Sequence, residues 1–363
     1  MLFKEYDPLT DAMLQVMDNE GNIINPEWKP DITDEFVLEC YKFMQFARTA
    51  DLMAVSFQRQ GRLYTYPPNL GQEAVACAVG KHIRPRDWLV PSFREMGAWL
   101  LKGAKPSDVY KYFGGFEDGS RFSEAPNFLP SVVPIASQLP HAVGIGFAIN
   151  YKKMDSMVFT FAGDGATSEG DFHESLNFAS LWKVPVLFVI QNNQYAISVP
   201  VKNQTRSKNL ALKAIAYDIP SVKVDGNDFF ALYKAVDEAV KHIRAGNGPV
   251  VMEAYTFRRG AHTTSDDPTL YRTSAEEQSW AERDPLKRLN GYLIARGLWH
   301  EEDDEPLIRE YRKEVEKEFA RYENAPPYHL EDAFIYMFKD MPNELKQQMD
   351  AYQAFAEWEE AQK

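Results

Sequence analysis

Asp164 stands between two glycines, Gly163 and Gly165, and Asn193 is the second of an asparagine pair further along the chain. A carboxylate and an amide oxygen are hard ligands. They suit a cation of the magnesium type, which prefers octahedral oxygen sites and shares them with phosphate oxygens. The flanking glycines let backbone approach a bound group closely, and a helix beginning after them would turn free N–H groups towards an anion. Together these residues describe a holder for a Mg²⁺–diphosphate. Each turn alone also has a plain reading, because Gly-Asp-Gly and Asn-Asn both occur in ordinary turns, and an aspartate before a helix is a common N-cap.

The elements around them make the pair specific. Met157 to Ala162 and Val184 to Ile190 are short runs rich in β-branched and aromatic residues, and read as buried parallel strands. Glu169 to Trp182 reads as the helix between them, with Phe172, Leu176, Phe178, Ala179 and Trp182 near helical spacing. Parallel strands joined by a helix cross over right-handed. Both polar turns then fall at the carboxyl edge of one sheet, where open α/β folds bind ligands.

The stretch GDGATSEGDFHESLNFASLWKVPVLFVIQNN resembles the thiamine-diphosphate motif, which opens with GDG and closes with NN. NNQYAISVP, QRQGRLYTYPPNLGQEA, PSFREMG, PIASQLPHAVGIG, VDGND and GAHTTSDDPTLYR extend the likeness from about Leu14 to about Leu345. In these the chain is similar to the alpha subunit of the decarboxylase component of 2-oxo acid dehydrogenase complexes. The fold implied is α/β, a doubly wound and mostly parallel sheet of the thiamine-diphosphate-binding type with extra N- and C-terminal helices.

The resemblance also implies roles. Asp164, Asn193 and the backbone carbonyl of Tyr195 would hold Mg²⁺. Gly163, Gly165 and Ala166 would line the diphosphate. Arg94 would bind it too, since a planar guanidinium matches phosphate oxygens. The family's Tyr-Arg pair is Phe93-Arg94 here, so one hydroxyl donor is missing and Phe93 is left to pack at the site. His262 would contact the terminal phosphate and orient the reacting group, which makes it the catalytic candidate. Ile135 would be the apolar wedge that bends the cofactor, with Ser137 and Gln138 supporting that loop. Glu169 and Arg258 read equally as groups behind the site or as surface and ion-pair residues.

Only one Rossmann-like set is legible, ending near residue 256, so the chain reads as half a site. The resemblance supplies the other half as a beta subunit in an α2β2 heterotetramer. The lipoyl domain and peripheral-subunit-binding domain of an acyltransferase component would be further partners. The implied reaction is oxidative decarboxylation of pyruvate with reductive acetylation of lipoyl-lysine. Branched-chain 2-oxo acids are the alternative within the family, because PIASQLPHAVGIG and HTTSDD lean that way while APNFLPS leans towards bacterial pyruvate enzymes. A non-catalytic Mg²⁺–phosphate-binding assembly subunit is the alternative from another class. A stand-alone transketolase half fits the HTTSDDPTLYR loop poorly.

Composition sets bounds on this. The chain has 363 residues, 45% of them hydrophobic, which is ample for a large core. A net charge of -13 argues against nucleic-acid binding. No run of about 18 apolar residues is present, so no membrane span is expected. The opening MLFKEYDPLTDAML carries acids and lacks a basic-then-apolar signal, and a bacterial cytoplasmic location is expected. The two cysteines, Cys40 and Cys77, lie in apolar helical patterns and read as buried thiols. Three regions are expected: an arm over 1–32, the cofactor-binding α/β domain over 33–290, and a helical extension over 291–363 packed on that domain. Thr33 predicts the start of a long helix ending before Gly61. The helix over 137–151 carries Gly144 and Gly146, which implies tight packing against a neighbour. Residues 257–272 form a polar loop, and such composition predicts mobility until something binds.

Overall fold

A computed structural model describes residues 2–122 and 125–362. It divides into two compact units, Met1–Phe319 and Ala320–Lys363. The first is built on eight strands: β1 Met13–Leu14, β2 Trp88–Val90, β3 Val158–Gly163, β4 Val186–Asn192, β5 Tyr195–Ala196, β6 Val199–Pro200, β7 Ser221–Asp225 and β8 Val250–Tyr255. Six of them form one sheet in the order β1-β7-β8-β4-β3-β2, and β5 pairs with β6 in a small hairpin. Every pairing within the large sheet is parallel.

Both faces of this sheet are covered, as a parallel sheet requires. On one side Val158 and Ala162 of β3, with Val186, Phe188 and Ile190 of β4, pack into a cluster with Leu139, Val143, Phe172 and Leu176. Those partners belong to the helices Gln138–Tyr151 and Gly170–Leu181. The intervening Phe159, Phe161, Leu187 and Val189 are buried as well. The helix Phe229–Arg244 packs on β7, β8 and β4, and the helix Glu73–Gly80 packs on that helix and on Met96–Lys102. Small residues let this second layer approach closely: a Cβ on Gly97 would stand 3.1 Å from the Ala76 Cβ.

The long helix runs Asp34–Arg59, capped by the Thr33 hydroxyl accepting from Phe36 N–H. The N-terminal arm contributes more than turns, because β1 adds to the sheet edge against β7. Its two residues are too few to show alternation, so the strand had no periodic signal. The Asp228 carboxylate fixes it, accepting from Val16 N–H at 2.6 Å and Met17 N–H at 2.7 Å.

Of the two glycines in Gln138–Tyr151, only Gly146 is tightly packed. A Cβ there would stand 2.9 Å from Val184 and Val186, whereas one on Gly144 meets nothing within 4 Å. Gly144 looks outwards and Gly146 faces the sheet. The second unit carries the helices Asp332–Ile335 and Asn343–Ala361, the latter with Tyr352, Phe355 and Trp358 exposed. No helix among the described residues is long and apolar enough to cross a membrane.

Candidate active site

The ends of β3 and β4 open on a cavity of about 220 Å³. Its wall includes Gly163, Asp164, Gly165 and Ala166 after β3, and Asn193 and Tyr195 after β4. Gly165 is needed by a close approach, since a Cβ would stand 2.7 Å from that of Ala196 in the hairpin. Phe93, Arg94, Ile135 and His262 line the same cavity. Ten of the residues singled out in the sequence therefore meet at one place, and Gln138, Glu169 and Arg258 line it too; Ser137 does not, its hydroxyl donating to the Pro134 carbonyl instead.

Asp164 and Asn193 are both buried. The Asn193 Oδ1 stands 3.1 Å from Asp164 Oδ1 and 3.1 Å from the Tyr195 carbonyl oxygen. Three acceptors this close repel one another unless a cation lies among them or the amide turns over to donate. Octahedral ligands at about 2.0–2.1 Å from Mg²⁺ stand about 3 Å apart, which is the spacing found. The other Asp164 oxygen, Oδ2, accepts from Gln204 Nε2 at 2.9 Å. The Asn193 amide nitrogen lies 3.5 Å from Gln72 Oε1.

Facing this triad is a group of buried cations. Arg94 donates to the Pro68 carbonyl and, at 2.8 Å, to the His262 carbonyl. Arg258 donates to the carbonyls of Tyr195 (3.1 Å) and Ile197 (2.7 Å), and its Nε has no partner among the described residues. Arg258, left open between ion pair and site, is 1% exposed and makes no ion pair among the described residues. Neither does Arg94. Burial, reinforced by Arg258, pushes the Arg94 guanidinium down to about 10. Burial and then the two guanidinium groups push His262 down to about 4, so its ring is neutral at pH 7. Its Nδ1 lies 3.4 Å from an Arg94 donor and 3.5 Å from an Arg258 donor. Nδ1 is thus assigned as the acceptor, which leaves the proton on Nε2. Two buried positive groups that make no direct ion pair are costly alone and suit an anion.

Ile135 is 47% exposed at the rim, and Ala136 beside it has φ +68°. A left-handed alanine is strained by about 1–2 kcal/mol, so the surrounding structure must enforce it. Gln138 does so from the next turn, donating to the Phe161 carbonyl at 2.6 Å. The Phe93 ring stands edge-on to His262 with centroids 6.3 Å apart, and the Arg94 guanidinium lies 5.4 Å from its centre.

Sequence reasoning missed four residues here. Gln204 and Gln72 brace the oxygen triad. Glu95 and Gln191 form a buried pair in the cavity wall, with Gln191 Nε2 donating to Glu95 Oε1 at 2.7 Å. Burial pushes the Glu95 carboxyl up to about 7. Glu95 directly follows Arg94, and Gln191 directly precedes the asparagine pair; adjacency to the motifs was their only signal.

Residues 41–331 match the family model of the dehydrogenase E1 component. The chain belongs to this family. It is 40% identical over 342 residues to the pyruvate dehydrogenase E1 component subunit alpha of Acholeplasma laidlawii, covering 94% of this chain and 99% of that one. The protein of the same name from Mycoplasma genitalium is 37% identical over 348 residues, covering 96% and 97%. That from Staphylococcus epidermidis is 37% identical over 341 residues, covering 94% and 92%. The E1 family match spans the whole cavity wall, from Gln72 to His262.

Proposed function

We propose that this chain is the alpha subunit of a pyruvate dehydrogenase E1 component, and that its cavity holds thiamine diphosphate through Mg²⁺. The observation that carries the reading is that Asn193 stands 3.1 Å from both the Asp164 carboxylate and the Tyr195 carbonyl, in one cavity with two buried guanidinium groups that make no ion pair among the described residues. Asp164, Asn193 and the Tyr195 carbonyl hold the metal. Arg94, the Nε2–H of His262 and the backbone of Gly165 and Ala166 take the diphosphate. The Ile135 side chain, set on a strained turn, supports the cofactor's bent form. Thiamine diphosphate, when bound, supplies a nucleophilic carbon and an electron sink for decarboxylation of a 2-oxo acid. The protein's own part is to anchor, orient and exclude water. His262 is suited to orienting the reacting group because it is neutral and its Nδ1 is held, leaving one N–H to direct.

Pyruvate as substrate is supported by the names of relatives that align over nearly their full length. A beta subunit in an α2β2 assembly would complete the site, and lipoyl and peripheral-subunit-binding domains of an acyltransferase would receive the acetyl group, in the bacterial cytoplasm. The test is calorimetric titration of the α–β assembly with thiamine diphosphate and Mg²⁺, followed by a pyruvate decarboxylation assay. Binding and turnover are expected, and absence of cofactor binding would refute the reading.

A further inference from the structure

Between the helices Asp34–Arg59 and Glu73–Gly80 the chain has no regular structure over 64–69, yet Tyr66, Pro67, Pro68, Asn69 and Gly71 are buried. Buried irregular backbone must find its hydrogen-bond partners outside a helix or a ladder. Here the partners belong to the site. The Pro68 carbonyl accepts from Arg94. The Leu70 carbonyl accepts from Arg259 N–H at 3.1 Å, and the Tyr66 carbonyl from Thr264 N–H at 2.9 Å. Tyr66 N–H donates in return to the Thr264 hydroxyl at 3.0 Å. Arg94 closes the circuit by donating to the His262 carbonyl at 2.8 Å. Residues 66–71 therefore form a strap that holds Arg94 on one side and the backbone flanking His262 on the other.

One side chain fixes the strap. Asp51, on the helix Asp34–Arg59, is 1% exposed and stands behind the cavity wall rather than in it. Its Oδ1 accepts three bonds: from the Tyr66 hydroxyl at 2.8 Å, from Asn69 N–H at 2.7 Å and from Asn69 Nδ2 at 3.2 Å. Pro67 and Pro68 carry no N–H, so Asn69 offers the only backbone donor over 67–69, and Asp51 takes it. The Asn69 amide oxygen in turn accepts from Met96 N–H at 3.1 Å, two residues on from Arg94. The carboxylate is thus tied to both ends of the Arg94 setting.

We propose that Asp51 is a positioning residue for the diphosphate, setting through the strap where Arg94 and His262 present their donors. The inference rests on the diphosphate reading above. Charge and position act with opposite signs here. A buried carboxylate near an anion site repels the anion, so deleting its charge alone would tighten binding. Deleting its acceptor frees the strap, lets Arg94 and His262 shift, and weakens binding. Asp51→Ala removes both charge and acceptor. Asp51→Asn removes the charge and keeps an oxygen for the same three donors.

The experiment is calorimetric titration of the α–β assembly with thiamine diphosphate in the presence of Mg²⁺. Asp51→Ala is expected to weaken binding by about tenfold or more, the order seen when a group that orients a binding side chain is lost. Asp51→Asn should stay near wild type. Tyr41→Phe is the control for stability alone, since Tyr41 is buried on the same helix but bonds to Asp304 at 2.7 Å instead of to the strap. It should lower the melting temperature and leave the affinity unchanged. In an Arg94→Gln background Asp51→Ala should cost less than it does in wild type, because residues that act through one another are not additive. If Asp51→Ala does not fold, Asn69→Ala breaks the same link from the strap side and carries the comparison. Unchanged or tighter binding in the folded alanine variant overturns the proposal alone. So does an equal loss in Tyr41→Phe, or full additivity with Arg94→Gln. A wild-type assembly that does not bind thiamine diphosphate overturns the cofactor reading beneath it as well.

Discussion

Asn193 can aim either its amide oxygen or its amide nitrogen at Asp164, and a cation decides which is favourable. With Mg²⁺ at the proposed site the oxygen would be a ligand; without it the turned-over amide would donate to Asp164 and Tyr195, both 3.1 Å away. Asp164→Asn should therefore leave the fold intact but weaken Mg²⁺ and thiamine diphosphate together, by at least about tenfold, since one hard charged ligand is lost. Calorimetry on the α–β assembly reads this, and full affinity in a folded variant would remove Asp164 from the metal site. Glu95 gives a pH-dependent counterpart. Its carboxyl sits at about 7 against an ordinary 4.5, raised chiefly by burial. A folded-state pKa above the unfolded one leaves stability whole below about pH 4.5 and removes it as pH rises through about 7. Glu95→Gln abolishes that loss, and the new amide can donate to Gln191 Oε1, which lacks a partner among the described residues. The variant's melting temperature should gain on wild type between pH 5 and pH 8; a constant gap would mean that Glu95 does not titrate there. Asp164 and Asn193 were legible in the sequence because strand ends fix where they point. Glu95, Gln191, Gln204 and Gln72 were not, because their roles depend on partners far along the chain, such as the Glu95–Gln191 pair across the sheet edge.

At the scale of elements, the helix Gln138–Tyr151 separates two glycines that look alike in sequence. Gly144→Ala meets open space and should stabilise the isolated chain by about 0.5–1 kcal/mol through helix propensity. Gly146→Ala drives a methyl to 2.9 Å from Val184 and Val186, which lie on and just before β4, and should destabilise by about 1–3 kcal/mol as overpacking does. Urea denaturation of both variants checks the pair, and equal effects of the same sign would contradict the packing. The period of a helix tells which residues share a face, but not which face meets the sheet when both carry small residues. The same limit explains the loop over 257–272. Its polar composition predicted few anchors, yet the anchors are themselves polar: Tyr271 donates to Asp266 at 2.5 Å and Arg258 donates to Tyr271 at 3.0 Å. Thr264 N–H also donates to the Tyr66 carbonyl at 2.9 Å. Asp266→Ala should speed tryptic cleavage after Arg259 severalfold, and an unchanged rate would show that these bonds do not hold the loop. Strands β3 and β4 were legible from apolar runs, whereas β1 was not, since its two residues are too few for a pattern and their place against β7 is fixed by the Asp228 carboxylate on the residues that follow.

Taken whole, the first unit exposes an aromatic surface on two helices whose opposite ends begin at the cavity, by Gln138 and Glu169. Phe147, Tyr151, Phe178, Leu181 and Trp182 are 40–80% exposed on the helices Gln138–Tyr151 and Gly170–Leu181 or the turn just after, and Phe147 and Phe178 both pack on Trp182. Contiguous apolar area of this kind usually marks an interface, and it lies on the same helix as the open side of Gly144. The sequence pointed to the same need differently, by offering one sheet where a complete thiamine site takes two modules. Both arguments support the proposed split site. The purified alpha chain with thiamine diphosphate, Mg²⁺ and pyruvate should show no more than about one-hundredth of the turnover of the α–β mixture. Phe147→Ser should lower the affinity of alpha for beta, measured by analytical ultracentrifugation, without lowering the stability of alpha itself. Turnover by alpha alone equal to the mixture would sink the split site, because a cavity closed by one sheet would then suffice. Unchanged association in the Phe147 variant would move the interface off these two helices while leaving the cavity chemistry as described.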